Sequence, residues 1–302
     1  MTSVLAGVDI GGTNVKGLAL SAEGQILAEQ SATTNDDGTD TWRVGARDFI
    51  LSLLNRFPAG TPLGIAAPGL PDRDGLTIAS MPERLKGLEG LNSQQWLGLK
   101  SPIPILNDAH AALLGETWLG AAKSLSNVIL LTLGTGVGGA AMVDGRILHG
   151  HLGRAGHLGH TSLNPKGSKD IVNTPGSLEG AIGDYTLLQR SAGKFQSTRE
   201  LIAAVRAGDQ HAQQVWNDST RALAAAIATF INLFDPEVVL LGGGIADAGE
   251  ALFAPLQAML DEFEWRPKGS RVRLLKAALG SKAGAIGAAF AAKLNAGKAA
   301  VL

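Results

Sequence analysis

The chain has 302 residues, of which 45% are hydrophobic and 18% charged, and its formal net charge is −1. This composition predicts a globular protein long enough for two lobes and excludes strong electrostatic attraction to nucleic acid or an anionic membrane. The sequence contains no cysteine, which excludes disulfides and thiolate metal sites. With no leader pattern and no apolar run near the ~20 residues of a membrane span, we expect a cytoplasmic protein with neither nucleic acid nor membrane as a partner.

The first 30 residues alternate short apolar runs with turns, which predicts a three-stranded meander with its first turn at residues 11–14. A helix is predicted over residues 42–56, because its apolar residues fall on one face. The next predicted strand is buried and breaks at residues 68–69. Turn-forming and charged residues without a clear period predict a loop over residues 73–96.

A short strand at residues 103–106 precedes Asn107-Asp108, which stands at the start of a helix-favouring run. The second half of the sequence repeats this scheme. The later predicted elements are strands over 127–133, 140–148 and 237–242, helices near 178–192 and 197–234, a helix from about Asp247, and a small-residue helix over 281–294. Two similar halves predict a duplicated α/β fold with a cleft between two lobes.

Three glycine-rich segments follow apolar runs, at residues 7–17, 132–145 and 240–249. Glycine lets the backbone turn at the end of a strand and leaves its amides accessible, which suits phosphate. The middle segment also matches the G-x-G-x-x-G pattern of dinucleotide sites. A hairpin with an Asp-Gly turn follows it instead of the helix that such sites require, so a nicotinamide enzyme is disfavoured.

The chain resembles the ROK sugar kinases of the actin-like ATPase superfamily, which have a ribonuclease H-like fold. The family signature runs from Leu133 through Gly136, Gly138, Ala140, Gly150 and Gly156 to Gly159-His160. DIGGTNVKG resembles the first phosphate motif, PG at 68–69 and NDAHAALLGE at 107–116 resemble sugar-site segments, and DPEVVLLGGGIA resembles the adenosine motif. The resemblance implies ATP-dependent transfer of the γ-phosphoryl group to a sugar hydroxyl, with Mg²⁺. It also implies a homodimer, and we expect a small lobe of residues 1–107 plus 286–302 and a large lobe of residues 108–285.

The resemblance implies a set of site residues. Those expected to contact the nucleotide are Asp9, Gly11, Gly12, Thr13, Asn14, Lys16, Thr135, Gly136, Gly243 and Gly244, with Asp9 beside the Mg²⁺, acting through water. Those expected to contact the sugar are Gly69, Asn107, Asp108, His157, His160 and Glu179.

Asp108 is the expected general base, since a carboxylate at the start of a helix, directly after a strand, can take a proton from the attacking hydroxyl. The alternative for Asp108 is a helix N-cap. Asp9 could instead make a structural hydrogen bond to its turn, and Lys16 could equally be a solvated strand residue.

Two departures from the family pattern concern sugar and metal binding. Many members carry E-x-G-H, but here the segment reads His157-Leu158-Gly159-His160, so His157 replaces a sugar-binding glutamate. Ser177 stands where a zinc-binding cysteine is usual, so we expect no zinc site. The identity of the sugar therefore stays open.

Three other functional classes share parts of this pattern. A non-catalytic sugar-sensing ROK protein is the main alternative. ROK repressors carry a helix-turn-helix ahead of the phosphate motif. Here that motif starts at residue 7, which leaves no room for a helix-turn-helix, so we do not expect a repressor. An actin-like ATPase with a protein partner is disfavoured by the sugar-site residues.

Overall fold

A computed structural model describes residues 4–81 and 84–299, which form two compact units. The first unit contains residues 1–124, 149–155 and 279–302, and the second contains residues 125–148 and 156–278. Within the described ranges, no helix combines the length and the apolar character that crossing a bilayer requires.

Twelve strands and nine helices are found in the described residues. The strands are β1 Val4–Ile10, β2 Asn14–Ser21, β3 Ile26–Thr33, β4 Leu63–Ala67, β5 Leu70–Pro71, β6 Ile78–Ser80, β7 Ile105–Asn107, β8 Val128–Leu133, β9 Val137–Val143, β10 Arg146–Ile147, β11 Val238–Gly242 and β12 Arg273–Lys276. The helices are α1 Trp42–Leu54, α2 Ser93–Leu97, α3 Asp108–Trp118, α4 Leu178–Ile182, α5 Leu187–Arg190, α6 Thr198–Arg206, α7 Gln210–Phe234, α8 Glu250–Phe263 and α9 Ala283–Ala299.

Each unit is built on a five-stranded sheet of the same topology. The strand order is β3-β2-β1-β4-β7 in the first unit and β10-β9-β8-β11-β12 in the second. In both sheets three antiparallel strands form a meander. A fourth strand pairs in parallel with the first strand of the meander, and a fifth pairs in parallel with the fourth. The shared order confirms the predicted duplication of an α/β scheme.

Small residues allow α9 to lie directly on the first sheet. A Cβ atom placed on Gly7 of β1 would lie 1.9 Å from the Ala285 carbonyl oxygen, and one on Gly64 of β4 would lie 2.0 Å from that of Ala288. Gly287 approaches α3 equally closely, at the carbonyl of Ala111. Close backbone approach of this kind requires glycine, so the predicted packing role of this small-residue helix is confirmed.

The packing of α3 on α9 also moves the unit boundary. The sequence-based division placed residues 108–124 and 279–285 in the large lobe, whereas both stretches pack in the first unit. Glu116 contributes to this packing, because its fully buried carboxylate accepts hydrogen bonds from the amides of Ala121 and Leu279, each at 2.8 Å. Residues 149–155 also belong to the first unit, which the sequence did not predict.

Several predicted elements differ from those observed. The stretch 73–96, expected as a loop, contains β6 and the start of α2, while residues 82–83 lie outside the described range. The predicted helices at 178–192 and 197–234 each divide in two, at Gly183 and near Gly208. The helix expected from Asp247 starts at Glu250 after a 3₁₀ turn, and β12 was not predicted.

Candidate functional site

The first glycine turn connects β1 to β2 in the first unit. The Gly11 amide donates a hydrogen bond to the Asn14 carbonyl oxygen at 2.9 Å, which closes the turn. Thr34 makes two further hydrogen bonds to the turn. Its hydroxyl donates to the Gly11 carbonyl oxygen at 2.6 Å, and its amide donates to the Thr13 carbonyl oxygen at 3.0 Å. Thr13 and Asn14 are exposed and Gly12 is half-buried. The turn therefore holds an accessible loop in one conformation, as a phosphate-binding loop requires.

Asp9 and Lys16 flank this turn on adjacent strands. They are paired across the β1–β2 ladder, and the Lys16 Nζ atom lies 3.4 Å from the Ser281 carbonyl oxygen. Burial, and secondly the negative charge of Asp108, raise the pKa of Asp9 to about 7, although the charge of Lys16 opposes this. Gly284 near the start of α9 leaves room for this carboxylate, since a Cβ atom there would lie 2.5 Å from Asp9 Oδ2.

The predicted sugar-site segments at Gly69 and Asn107 meet in the first unit. The Asn107 side-chain amide donates a hydrogen bond to the Gly69 carbonyl oxygen at 3.0 Å, and its oxygen accepts one from the Ala109 amide at 2.9 Å. Asn107 is therefore the N-cap of α3. Gly69 has a φ of +100°, and a Cβ atom there would lie 2.6 Å from the Ser80 carbonyl oxygen, so this position requires glycine.

Asp108 is the first residue of α3. The N-cap role that was the alternative for Asp108 belongs to Asn107 instead. Its carboxylate accepts a hydrogen bond from the Ala109 amide at 2.8 Å. The residue is exposed at the surface, yet the surrounding protein displaces enough solvent to raise the pKa of the Asp108 carboxyl above its ordinary value. Hydrogen bonds from Ala109 and Asn107 and the charge of Arg84 oppose that rise. A solvent-accessible carboxyl with a raised pKa has the properties of a general base.

In the second unit, the β8–β9 turn is joined to Glu179. The Gly134 amide donates to the Gly136 carbonyl oxygen at 2.9 Å, and the Val137 amide donates to Glu179 Oε2 at 2.9 Å. A Cβ atom on Gly136 would lie 2.3 Å from the same oxygen. Thr135 is tied in as well, because its carbonyl oxygen accepts from the Tyr185 amide at 3.0 Å.

Glu179 is buried, with 6% of its surface exposed. Its second oxygen, Oε1, has no hydrogen-bond partner among the described residues. A buried carboxylate oxygen without a donor is energetically costly, which makes this atom a candidate for accepting a hydrogen bond from a bound molecule.

His160 is fixed by Asp170, a residue that the sequence did not single out. The two side chains are joined from His160 Nδ1 to Asp170 Oδ2 at 2.9 Å. The other carboxylate oxygen, Oδ1, accepts from the amides of Thr174 at 2.8 Å and Val172 at 3.0 Å. Burial acts to raise the pKa of Asp170, but these hydrogen bonds, first that of His160, lower it overall. The bond fixes the imidazole orientation and leaves Nε2 for another partner.

Among the described residues, one group of metal-ligand types lies within 4.8 Å of one another, namely His160, Asp170 and Glu179. Asp170 already uses both oxygens in hydrogen bonds to the protein. Ser177 is the N-cap of α4, and its hydroxyl accepts from the Gly180 amide at 3.1 Å. Three side chains are fewer than the four that structural zinc uses.

The third glycine segment borders a cavity of about 650 Å³ in the second unit. Gly243 has a φ of +83°, and a Cβ atom there would lie 2.2 Å from the Leu133 carbonyl oxygen, so the chain turns tightly off β11. Gly244 begins the 3₁₀ turn that forms one wall, and α6 supplies Arg199 and Arg206 on another. This volume lies within the usual range of small-molecule sites.

Comparisons with known proteins agree on one family. The model of the ROK family matches residues 5–294. The chain belongs to the ROK family. A glucokinase of Thermotoga maritima is 30% identical, over 94% of this chain and 96% of that protein. This ROK chain also matches the solved structure of a ROK hexokinase from Thermus thermophilus with a TM-score of 0.85 and 29% identity, covering 98% of this chain and 99% of the other. A ROK glucokinase from Streptomyces griseus, solved with glucose and AMPPNP, has a TM-score of 0.77 and 28% identity, covering 97% and 100%.

These likenesses confirm the predicted family and the actin-like ATPase fold. They agree with the glycine turns in supporting a sugar kinase. Within each unit, the structure brings together residues that are distant in the ROK sequence: Asp9 and Asp108 with Gly69 and Asn107 in the first unit, and Gly136 with Glu179 in the second. Asp170 was missed, because one acidic residue in a polar loop carries no sequence signal.

Proposed function

We propose that this ROK protein transfers the γ-phosphoryl group of ATP to a hydroxyl of a hexose or related sugar, with Asp108 as general base. The observation that carries this proposal is the carboxyl of Asp108 itself, which stands at the start of α3, influences the ionisation of Asp9 and has a raised pKa. A base whose pKa is raised towards the working pH accepts a proton more effectively.

In the proposed reaction the sugar hydroxyl attacks the γ-phosphorus atom of ATP. A new bond forms between the sugar oxygen and phosphorus, and the bond from phosphorus to the oxygen of the β-phosphate breaks, so that ADP leaves. Asp108 accepts the hydroxyl proton. Such transfers require alignment and charge neutralisation more than covalent assistance from the protein.

The turn at residues 11–14, with Lys16, would hold the phosphates of the nucleotide. Asp9 would hold the Mg²⁺ that accompanies ATP, through water. The structure provides a physical reason for a cation here, because the repulsion between Asp9 and Asp108 contributes to the pKa of about 7 and a cation would relieve it. Bound Mg²⁺ would neutralise charge on the phosphates.

The adenosine of ATP would lie in the cavity bordered by Gly244 and α6, next to Gly243. Thr135 and Gly136 would contact the phosphates, since they belong to the tight turn between β8 and β9. Both assignments follow the motifs that the ROK family shares and the exposed turn amides that phosphate prefers.

The sugar would contact Glu179, His160 and His157, together with the Gly69–Asn107 pair. Glu179 supports this best, because its buried Oε1 atom has no donor in the part of the chain that the structure describes, and a sugar hydroxyl would supply one. His160 would use Nε2, since Asp170 holds Nδ1. His157 is half-buried and offers an imidazole where many family members have a carboxylate. The sugar preferred here therefore need not be glucose.

A screen of ADP release tests the proposal. Purified protein with MgATP would be incubated with hexoses, N-acetylhexosamines, ketoses and cyclitols, and the phosphorylated product identified by mass and NMR. We expect one class to give turnover well above the ATPase background. Sugar binding without turnover for every class would instead favour a non-catalytic sugar sensor.

We further propose that the enzyme acts in the cytoplasm, where ATP is abundant, and that it is a homodimer, as its family resemblance implies. Light scattering on the eluted protein tests the second point. A mass of about 31 kDa, that of one chain, would contradict it.

A further inference from the structure

Residues 149–155 form a short segment of the first unit. The residues on either side of it, 148 and 156, belong to the second unit. The segment closes on itself through a hydrogen bond from the Ala155 amide to the His149 carbonyl oxygen at 3.3 Å. Gly153 packs closely against β5, since a Cβ atom there would lie 2.9 Å from the Pro71 carbonyl oxygen. The chain is therefore held in place before it returns to the second unit.

His110 holds the other end of this segment. It is the third residue of α3 and is fully buried. Its Nε2 atom lies 3.3 Å from the Ala155 carbonyl oxygen, and its ring meets that of His149 edge to face, with centroids 5.2 Å apart. A carbonyl oxygen can only accept, so His110 donates through a protonated Nε2. One side chain thus joins the helix that starts with Asp108 to the end of the segment.

The sequence then leads directly to the proposed sugar ligands. His157 lies two residues after Ala155, and His160 lies five residues after it. We infer that His110 is a positioning residue for phosphoryl transfer. By holding Ala155 against α3, the helix that starts with Asp108, it fixes the point at which residues 156–160 leave the first unit. This inference rests on the proposed function. Misplacement of a site by about 1 Å can lower the rate by ~10²-fold, even when its cause is distant from the reacting atoms.

A pair of amide variants separates this role from a general contribution to stability. In His110→Gln the side-chain NH₂ group reaches the position of Nε2, whereas in His110→Asn it reaches only that of Nδ1. Both variants lose the imidazole and its ring contact with His149. Urea unfolding of each measures how much stability the hydrogen bond to Ala155 contributes. Only the glutamine variant can restore the hydrogen bond to Ala155.

The kinetic comparison uses glucose, or the best sugar of the screen, and ATP. We expect His110→Asn to raise the KM for the sugar by about 10-fold and to lower kcat/KM by roughly 10- to 100-fold. His110→Gln should stay within about threefold of the parent, and both should keep the KM for ATP within about twofold. Equal defects in the two variants, or parallel rises in both KM values, would overturn the inference.

Hydrogen exchange of residues 149–157 provides a reading that needs no turnover. We expect these amides to exchange faster in His110→Asn than in the parent and to regain protection in His110→Gln. Equal exchange in all three proteins would show that His110 does not hold the segment. A parent protein without any sugar turnover would count against the proposed function alone.

Discussion

Replacing Asp9 with asparagine should stabilise the protein at alkaline pH. Burial and the charge of Asp108 raise the pKa of Asp9 to about 7, from 3.8 in an unfolded chain. A carboxyl with a raised folded pKa binds its proton more tightly in the folded state, so its ionisation destabilises the fold. The penalty is fully present above pH 7 and disappears as the pH falls from about 7 towards 3.8.

The size of the effect follows from the two pKa values. The complete difference corresponds to about 4 kcal/mol. Because Asp9 is only half-buried and keeps contact with water, we expect Asp9→Asn to raise the free energy of unfolding by about 1–3 kcal/mol at pH 8.5. Near pH 4 the gain should be close to zero.

The assay is urea unfolding followed by the fluorescence of the five tryptophans, without Mg²⁺, at pH 8.5, 6.5 and 4.5. Asp144→Asn is the matched control, because it removes the same charge from an exposed hairpin turn and should change stability little at any pH. If Asp9→Asn gained no stability at pH 8.5, or gained the same amount at every pH, the electrostatic reasoning would be refuted.

Three further outcomes are expected. Gly136→Ala should raise the sugar KM at least ~10-fold, because its Cβ would lie 2.3 Å from Glu179 Oε2 and displace that carboxylate. The control Gly45→Ala, which has open space for the Cβ atom, should leave the sugar KM unchanged. A sugar KM for Gly136→Ala equal to that of the parent would contradict the displacement of Glu179. Glu116→Ala should lower the free energy of unfolding by about 2–5 kcal/mol in urea titrations, since it removes a fully buried carboxylate and leaves two partly buried amides without their acceptor. Glu116→Gln should lose less; a loss below ~0.5 kcal/mol for Glu116→Ala would contradict this. Elemental analysis should find no stoichiometric zinc, and chelator should leave the melting temperature unchanged, because the cluster found among the described residues has three side chains and structural zinc uses four ligands; one tightly held zinc per chain would overturn this.

Much of the fold could be predicted from local patterns. Glycine turns after apolar runs located β1, β2, β8, β9 and β11, because these signals lie in adjacent residues. β12 was missed, since its residues are exposed or half-buried and its strand character depends on pairing with β11. The long predicted helices were too continuous, because their breaks depend on tertiary contacts, such as Gly183 beside Thr135.

The candidate site shows the same limit. Asp9, Asp108 and Glu179 could be selected from motifs, but their ionisation and partners could not, because those depend on burial and on residues far away in sequence. The donor to Glu179 Oε2 is an amide 42 positions away. His110 and Asp170 carry no motif, and their roles follow only from the atoms that they contact.

The most direct test of the account is turnover by Asp108→Asn. Asparagine keeps the size of the side chain and most of its hydrogen bonding, including acceptance from the Ala109 amide, but it cannot take the hydroxyl proton. With the best sugar of the screen, kcat should fall by at least ~10²-fold, the lower end of the range of about 10²- to 10⁴-fold that a general base contributes. ATP binding, measured by calorimetry, should be retained. Turnover within a few-fold of the parent would show that Asp108 is not the base.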